Sequence, residues 1–350
     1  MIRRVLSIWI YTSSIFFSQG LEKTLYNLAG DAAYSYVSPV ANAFGSNLNS
    51  GWITKIPRAG QNKFTISISL NANASFFKNE NSQFALYGNY RLSVESIDKI
   101  LANSGIEVTN PEYYKYKALL TSVPQKVFLT GPTIIGSKNE ELEVHYPGSE
   151  IEGVQLKEYK YYVKQVTGYL DELEFLPLAS IQFNIGTYCG SVLSIRYLPP
   201  VEIQSLGQFT YWGLGFLHNP TGWFNLQDKI DAGVGFYHQK MVVGDLFSSS
   251  ATQFLVSVGK SFNCFIRITP AVTISYELSK TIISYSYEYR DFVYGVPISV
   301  TRPIDVEFSG RNKFSFSTGV MFGFGIFDLR SDYKFAATPT FSTSLIFNVL

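Results

Sequence analysis

Charge is scarce in this chain: Asp, Glu, Lys and Arg make up 16% of its 350 residues, against about 25% in ordinary soluble domains. The net charge is +1 and no basic run occurs, so an electrostatic nucleic-acid binder is excluded. Beyond Gly20 no stretch approaches the roughly 18 consecutive apolar residues that mark a membrane helix, which excludes helical spans. The only two cysteines, Cys189 and Cys264, stand far apart, and with three histidines they form no metal-ligand spacing. Export would permit a disulfide between them. Cys264 falls on an apolar strand face, however, where a free thiol packs as a small hydrophobe. Tryptophan is rare, at 4, while Tyr (24) and Phe (28) are abundant.

What the chain has is alternation. In 64–76, Phe64, Ile66, Ile68, Leu70, Ala72, Ala74 and Phe76 are apolar. Every residue between them is Ser, Thr or Asn. This predicts a β-strand with one apolar and one polar face. It has the length of a bilayer-crossing strand, about 9–11 residues, rather than the usual soluble strand of about 5–6. The small polar residues suit a crowded lumen better than an open surface. Low charge, many aromatics and alternating strands together predict a transmembrane antiparallel β-barrel with aromatic girdles.

The N-terminus has the architecture of a secretory signal peptide over residues 1–20. Arg3 and Arg4 precede an apolar stretch to Phe17, and the small residues Ser18 and Gly20 stand three and one before an expected cut preceding Leu21. Residues 21–60 read as an N-terminal helical plug or hatch, with Leu25, Leu28, Ala32, Tyr36, Val40, Ala43 and Phe44 near helical spacing. Pro39 is expected to break or kink this helix near Ser38, and Gly45 to Gly51 to end it before Trp52. Tyr36, Pro39, Phe44 and Trp52 are the plug candidates. The remainder, 61–350, is read as barrel. Strands are expected over 84–94, 127–135 and 156–170, with helical excursions at 97–106 and 112–120. Alternation returns at Ile181–Ile185, Leu193–Tyr197, Ile230–Phe236, Cys264–Tyr276 and Phe314–Ile326, and again from Phe341 to Val349. Pro270, in mid-strand, predicts a bulge. A last strand closing on the first would leave no edge. The total is about 12–14 strands.

Several short motifs carry a resemblance. They are Tyr36-Val37-Ser38-Pro39-Val40-Ala41-Asn42-Ala43-Phe44-Gly45 up to Asn49-Ser50-Gly51-Trp52, then Gly131-Pro132-Thr133-Ile134-Ile135-Gly136. Leu176-Pro177-Leu178-Ala179 up to Arg196-Tyr197-Leu198-Pro199, and Asp332-Tyr333-Lys334-Phe335, complete the set. They resemble an uncharacterised outer-membrane β-barrel family of Bacteroidota. That family is distantly similar to the long-chain fatty-acid transporter (outer-membrane protein P1-like) group. The resemblance implies a barrel with an N-terminal hatch and does not imply a substrate.

No motif fixes a nucleophile–base–orienter trio around His145, His218 or His238. Gly213-x-Gly215 and the run Gly319, Gly323, Gly325 lack the strand-to-helix turn of a phosphate loop. No catalytic residue, metal or cofactor is therefore expected, and the chain reads as a non-enzyme. Asp328, Arg330, Asp332 and Lys334 alternate in sign on one strand face. In a barrel that face is the lumen, because Arg or Lys on the lipid face costs about 2–4 kcal/mol at the midplane. Such a lining either selects a solute or grips the plug, or it satisfies itself through cross-strand ion pairs. Arg196, Asp231 and Arg267 are further lumen-lining candidates. The expected function is passive transport of small or hydrophobic solutes through a plugged lumen in the outer membrane. The alternative is a non-transporting structural or assembly component with a closed lumen. Expected partners are outer-membrane lipid, the barrel-assembly machinery and the solute, with no nucleic acid.

Overall fold

The structure, a computed structural model, describes residues 30–58, 64–90, 92–171, 173–203, 207–224, 226, 229–263, 265–293 and 296–350. The expected signal peptide, residues 1–20, and the start of the expected plug segment lie outside the described residues, as does Cys264. In chain order the first elements are α1 (Asp31–Leu48), β1 (Thr65–Phe76), β2 (Gln83–Tyr90), α2 (Val94–Asn103), α3 (Tyr113–Ser122), β3 (Gln125–Pro132) and β4 (Leu142–Tyr146). There follow β5 (Ser149–Ile151), β6 (Val154–Leu156), β7 (Tyr159–Val163), β8 (Phe175–Gly186), β9 (Ser191–Ile203), β10 (Gly207–His218) and β11 (Asp231–Val243). The last are β12 (Phe247–Gly259), β13 (Phe262–Asn263), β14 (Arg267–Val293), β15 (Val296–Ser309), β16 (Phe314–Phe324), β17 (Phe327–Phe335) and β18 (Thr340–Asn348).

The described residues divide into two compact units: Ser38–Phe77 with Leu173–Leu350, and Lys78–Glu172 with residues 30–37. The first unit is a closed antiparallel barrel. Its strands run in the order β12-β11-β10-β9-β8-β1-β18-β17-β16-β14, and β14 pairs back with β12. Each of these ten strands thus has a partner on both sides, which closes the ring as a lipid environment requires. The closing seam joins β1 to β18, with Ile68 opposite Phe347 and Leu70 opposite Leu345. Ten strands form the wall, fewer than the expected 12–14, because some of the segments read as staves fold into the inserted unit; the sheet reaches twelve with β13 and β15. The span 61–350 is therefore not all barrel: 78–172 is inserted in the connection from β1 to β8, whose ends pair as Phe76 and Phe175.

Alternation sets the two faces of the wall. Ser69, Asn71, Asn73 and Ser75 of β1 are buried inward, while Leu70 is 57% exposed. The same inversion runs around the barrel: Gln182, Ser194, Gln239, Gln253, Ser275 and Ser344 are buried, and Phe183, Leu193, Phe236, Phe254, Ile274 and Leu345 are exposed. Water would not tolerate an apolar belt of this extent, since monomeric soluble proteins rarely expose patches above a few hundred Å². A bilayer does. No helix among the described residues is long and apolar enough to cross a membrane.

Prolines mark where the ladder departs from regularity. The expected bulge at Pro270 does not form; Pro270 stays in register opposite Val320. β12 ends at Gly259, opposite Ala271, so one side of the strand makes no ladder demand at Pro270. The register shift falls instead between Phe209 and Tyr211, opposite Pro199-Pro200 of β9, whose nitrogens donate no hydrogen bond. Pro297 and Pro303 lie on β15, which pairs with β14 alone, and an edge strand is where proline is tolerated.

The second unit is ordinary in its polarity. A four-stranded sheet, β2-β3-β4-β7, accompanies α2 and α3, with β5–β6 as a separate hairpin. Ile97, Ile100, Leu101, Tyr116, Leu120, Val127 and Val144 are buried. Ser93 caps α2, accepting from the Ser96 amide at 3.2 Å. The two helices overlap the helical excursions expected at 97–106 and 112–120; the segments 84–94, 127–135 and 156–170 supply strands to this unit and not to the barrel wall.

Candidate functional site

α1 continues through Pro39, so of the expected break or kink near Ser38 the break does not occur. Its residues from Ser38 onward belong with the barrel, and the chain from Ser38 to Pro57 is largely buried. An eight-stranded barrel is just filled by its own side chains. Ten strands leave more room, and here this segment occupies it.

A helix C-terminus leaves its last carbonyls unsatisfied and carries about half a negative charge. In α1 these groups are met by the wall. Lys334 Nζ donates to the Ser46 carbonyl at 2.9 Å, and Asn73 Nδ2 to the Asn47 carbonyl at 3.0 Å. Gln239 Nε2 donates to the Leu48 carbonyl. Past the helix, Arg196 Nη2 donates to the Ser50 and Gly51 carbonyls at 3.0 and 2.5 Å. Gln182 Nε2 then takes the Trp52 carbonyl at 3.0 Å. The segment's own polar side chains answer in kind: Asn47 Nδ2 donates to the Leu176 carbonyl at 2.7 Å, and Ser46 Oγ lies 2.7 Å from Thr340 Oγ1. Buried carbonyls need such partners, and a run of them met by wall side chains fixes the segment's depth.

Trp52 anchors the apolar part. It belongs to a buried apolar cluster with Ile53, Ile56, Leu217, Tyr237 and Leu255, and its ring lies 4.8 Å from the Tyr237 ring. The Arg196 guanidinium sits over the Trp52 ring at 3.9 Å, a cation–π contact strengthened by desolvation. Gly213 makes the fit possible: a Cβ there would come within 2.8 Å of the Trp52 ring. Gly45 is pinned in the same way, because a Cβ would collide with Ser279 of β14. Phe44 packs on Phe247, with ring centroids 4.7 Å apart. Tyr36, the remaining plug candidate, lies in the second unit, where its hydroxyl donates to the Thr167 carbonyl at 2.8 Å.

The inward charges fall into pairs. Lys334 meets Glu277 at 3.1 Å, Arg330 meets Asp332 at 2.7 Å, and Arg267 meets Asp328 at 2.7 Å. Glu277, Gln182, Gln239 and Asn73 are absent from the sequence-derived candidates. Glu277 is the next inward position after Thr273 and Ser275, so carrying the alternation one step further finds it. Arg196 is different. It is fully buried, its Nε donates to Gln182 Oε1 at 2.8 Å and its Nη1 to Gln239 Oε1 at 3.3 Å. Among the described residues it has no carboxylate partner. Asp231, at the first residue of β11, lies within electrostatic range of Lys55 and Arg58 on the segment. A cavity of about 40 Å³ remains beside the segment, lined in part by Asn49, Trp52, Gln253 and Arg330. That volume holds roughly two or three waters.

The histidines are separate from each other. His218 Nδ1 pairs with Ser191 Oγ at 2.8 Å, His238 Nδ1 with Thr252 Oγ1 at 2.8 Å, and His145 Nε2 lies 3.3 Å from Glu158. Cys189 is exposed and free.

One family model, described as a family of unknown function (DUF6588), matches residues 1–349. The chain belongs to that family. No curated protein matches it. Solved structures similar to this DUF6588 chain include the transport unit of the autotransporter AIDA-I from Escherichia coli, at 8% identity and a TM-score of 0.26, covering 89% of this chain and 99% of that one. The beta domain of the Bordetella autotransporter Brka matches at 11% identity and a TM-score of 0.21, covering 81% and 98%. OccK9 of Pseudomonas aeruginosa matches at 9% identity and a TM-score of 0.12, covering 83% and 98%. The barrel assignment rests on the strand pairing and the inverted faces.

Proposed function

We propose that this protein is a gated outer-membrane barrel that passes small solutes passively, with the N-terminal segment as its plug. The supporting observation is that the lumen is filled by a separate stretch of chain, Ser38–Pro57, held largely by side-chain-to-carbonyl hydrogen bonds and not by a strand ladder. Hydrogen bonds of this kind contribute about 0.5–1.5 kcal/mol each, more where a donor is charged, and can be exchanged for water bonds as the segment moves. The cavity beside the segment is small, about 40 Å³, which supports reading this arrangement as the plugged state. The hatch of the fatty-acid transporter group offers a parallel in architecture, as the Bacteroidota resemblance implies. The polar wall of this lumen fits a small polar solute better than a hydrophobic one. Delivery to the outer membrane through a cleaved signal peptide and insertion by the barrel-assembly machinery complete the proposal.

Two full-chain variants test it in planar bilayers. Gly45→Leu forces the helix off Ser279 and is expected to raise single-channel conductance. A Ser46→Cys/Thr340→Cys pair, in a background lacking Cys189 and Cys264, places two thiols where hydroxyls now lie 2.7 Å apart. Its oxidised form is expected to stay closed and to open on reduction. If neither variant changes conductance, the plug does not gate, and the non-transporting structural role becomes the better reading.

A further inference from the structure

Among the residues whose side chains are described, the inward face of the wall carries the cations Arg196, Arg267, Arg330 and Lys334 and the anions Asp231, Glu277, Asp328 and Asp332. Three of the cations are neutralised within the wall by the pairs already described, and these pairs do not depend on the plug. Arg196 is held otherwise. Its compensation comes from the Ser50 and Gly51 carbonyls, the face of Trp52 and two amide oxygens. The carbonyls and the indole leave with the segment.

Position decides what the open lumen would then present. Arg196 lies near the middle of β9, opposite Gly213 of β10 and Gln182 of β8, both near the middle of their strands. Asp231 is the other inward charge outside the wall's own ion pairs. It is the first residue of β11 and faces the last residue of β12, at the rim. A charge at the rim is screened within a Debye length of about 8–10 Å at physiological salt. A charge at mid-depth in a narrow lumen is screened far less. We propose that Arg196 is both the latch that holds the plug and the selectivity residue of the open barrel, and that the solutes carried are small anions. A guanidinium suits them, since it binds carboxylate and phosphate oxygens through a bidentate fork.

This inference rests on the gated-transport reading, and the test separates the two. The background is the full chain carrying Gly45→Leu, and the readout is the reversal potential in a potassium chloride gradient. The expected result is a severalfold preference for chloride over potassium. Arg196→Gln should remove it, and Arg196→Lys should keep it. Gln182→Glu places a carboxylate against Arg196 Nε without removing the arginine, and should remove the preference even if Arg196→Gln fails to assemble. Asp231→Asn should leave the preference in place. Current without chloride preference, or a preference that survives Gln182→Glu, overturns this inference alone. No current in any variant overturns the transport reading and this inference together.

Discussion

The barrel and the inserted unit use the same residue types in opposite ways. In the unit of residues 78–172, leucines and isoleucines are inside and ion pairs outside: Lys99 with Glu95, Lys117 with Asp98 and Lys160 with Glu143 all sit at the surface. In the barrel, the pairs Lys334–Glu277 and Arg330–Asp332 are inside, and Leu70, Phe254 and Ile274 face out. The difference follows from the solvent each surface meets. Where the surroundings are water, charge is cheapest at the surface; where they are hydrocarbon, it is cheapest in the lumen. It also changes what an ion pair does. A surface pair contributes about 0–1 kcal/mol, whereas a buried pair is weakly stabilising as a whole but very costly to break in half.

The sharpest way to break the comparison is therefore Glu277→Ala. It leaves Lys334 buried, bonded to the Ser46 carbonyl but without its counter-charge, and should cost about 3–5 kcal/mol. Urea unfolding followed by loss of the heat-modifiable folded band on gels measures it. Adding Lys334→Met should recover much of the loss, because removing both charges can be nearly neutral. If Glu277→Ala alone is silent, the lumen at this depth is wet and the pair behaves as a surface pair.

Leu70→Arg is expected to be somewhat milder. Leu70 is 57% exposed on the outer face near the middle of β1. Were the barrel in water, an exposed leucine would tolerate arginine within about 0.5 kcal/mol. In a bilayer the same change costs about 2–4 kcal/mol at the midplane. Val108→Arg is the control: Val108 is 61% exposed in the inserted unit and should stay within about 0.5 kcal/mol. Equal effects at the two positions would remove the membrane assignment.

The same contrast explains how much of the molecule was legible in the sequence. A wall strand is long and keeps strict alternation, so Phe64–Phe76, Phe314–Ile326 and Phe341–Val349 announce both their class and their faces. Strands of the inserted unit are short, such as Leu142–Tyr146. The strands found in or near 127–135 and 156–170 end within eight residues, Gln125–Pro132 and Tyr159–Val163, and over so short a run a barrel stave and a soluble strand look alike. The plug was harder for a different reason. Hydrophobic periodicity finds the apolar side of a helix, yet Ser46, Asn47, Asn49 and Ser50 are buried polar residues facing a polar lumen. The sequence presents them as helix terminators, and only the wall amides opposite them reveal a second use. Gln182 and Gln239 carry no charge and no motif, so no residue-level signal separated them from other inward amides. The unbroken passage of α1 through Pro39 shows packing overriding a local preference.

The smallest effect sharpens the comparison from the surface side. Lys117 donates to the Asp98 carboxylate at 2.6 Å, and the Tyr113 hydroxyl donates to the same group at 2.6 Å. These hydrogen bonds, the lysine's first, hold the Asp98 carboxyl below its usual range. The sign follows directly: a carboxylate whose folded value is depressed adds stability above its unfolded value, about 3.9, and loses it as pH falls through the folded one. Hydrogen exchange across α2 and α3, corrected for intrinsic rate, should therefore show protection weakening below about pH 4. Asp98→Asn should flatten that dependence, because the amide has no proton to gain. The change should also be salt-sensitive, since both partners stand in water. The barrel pairs meet no comparable screening, and the plug amides around Ser46 should hold their protection through the same salt series. A plug that loosened with salt as readily as this helix pair would mean that its cationic contacts are hydrated, and that the two regions differ less in solvent than their faces imply.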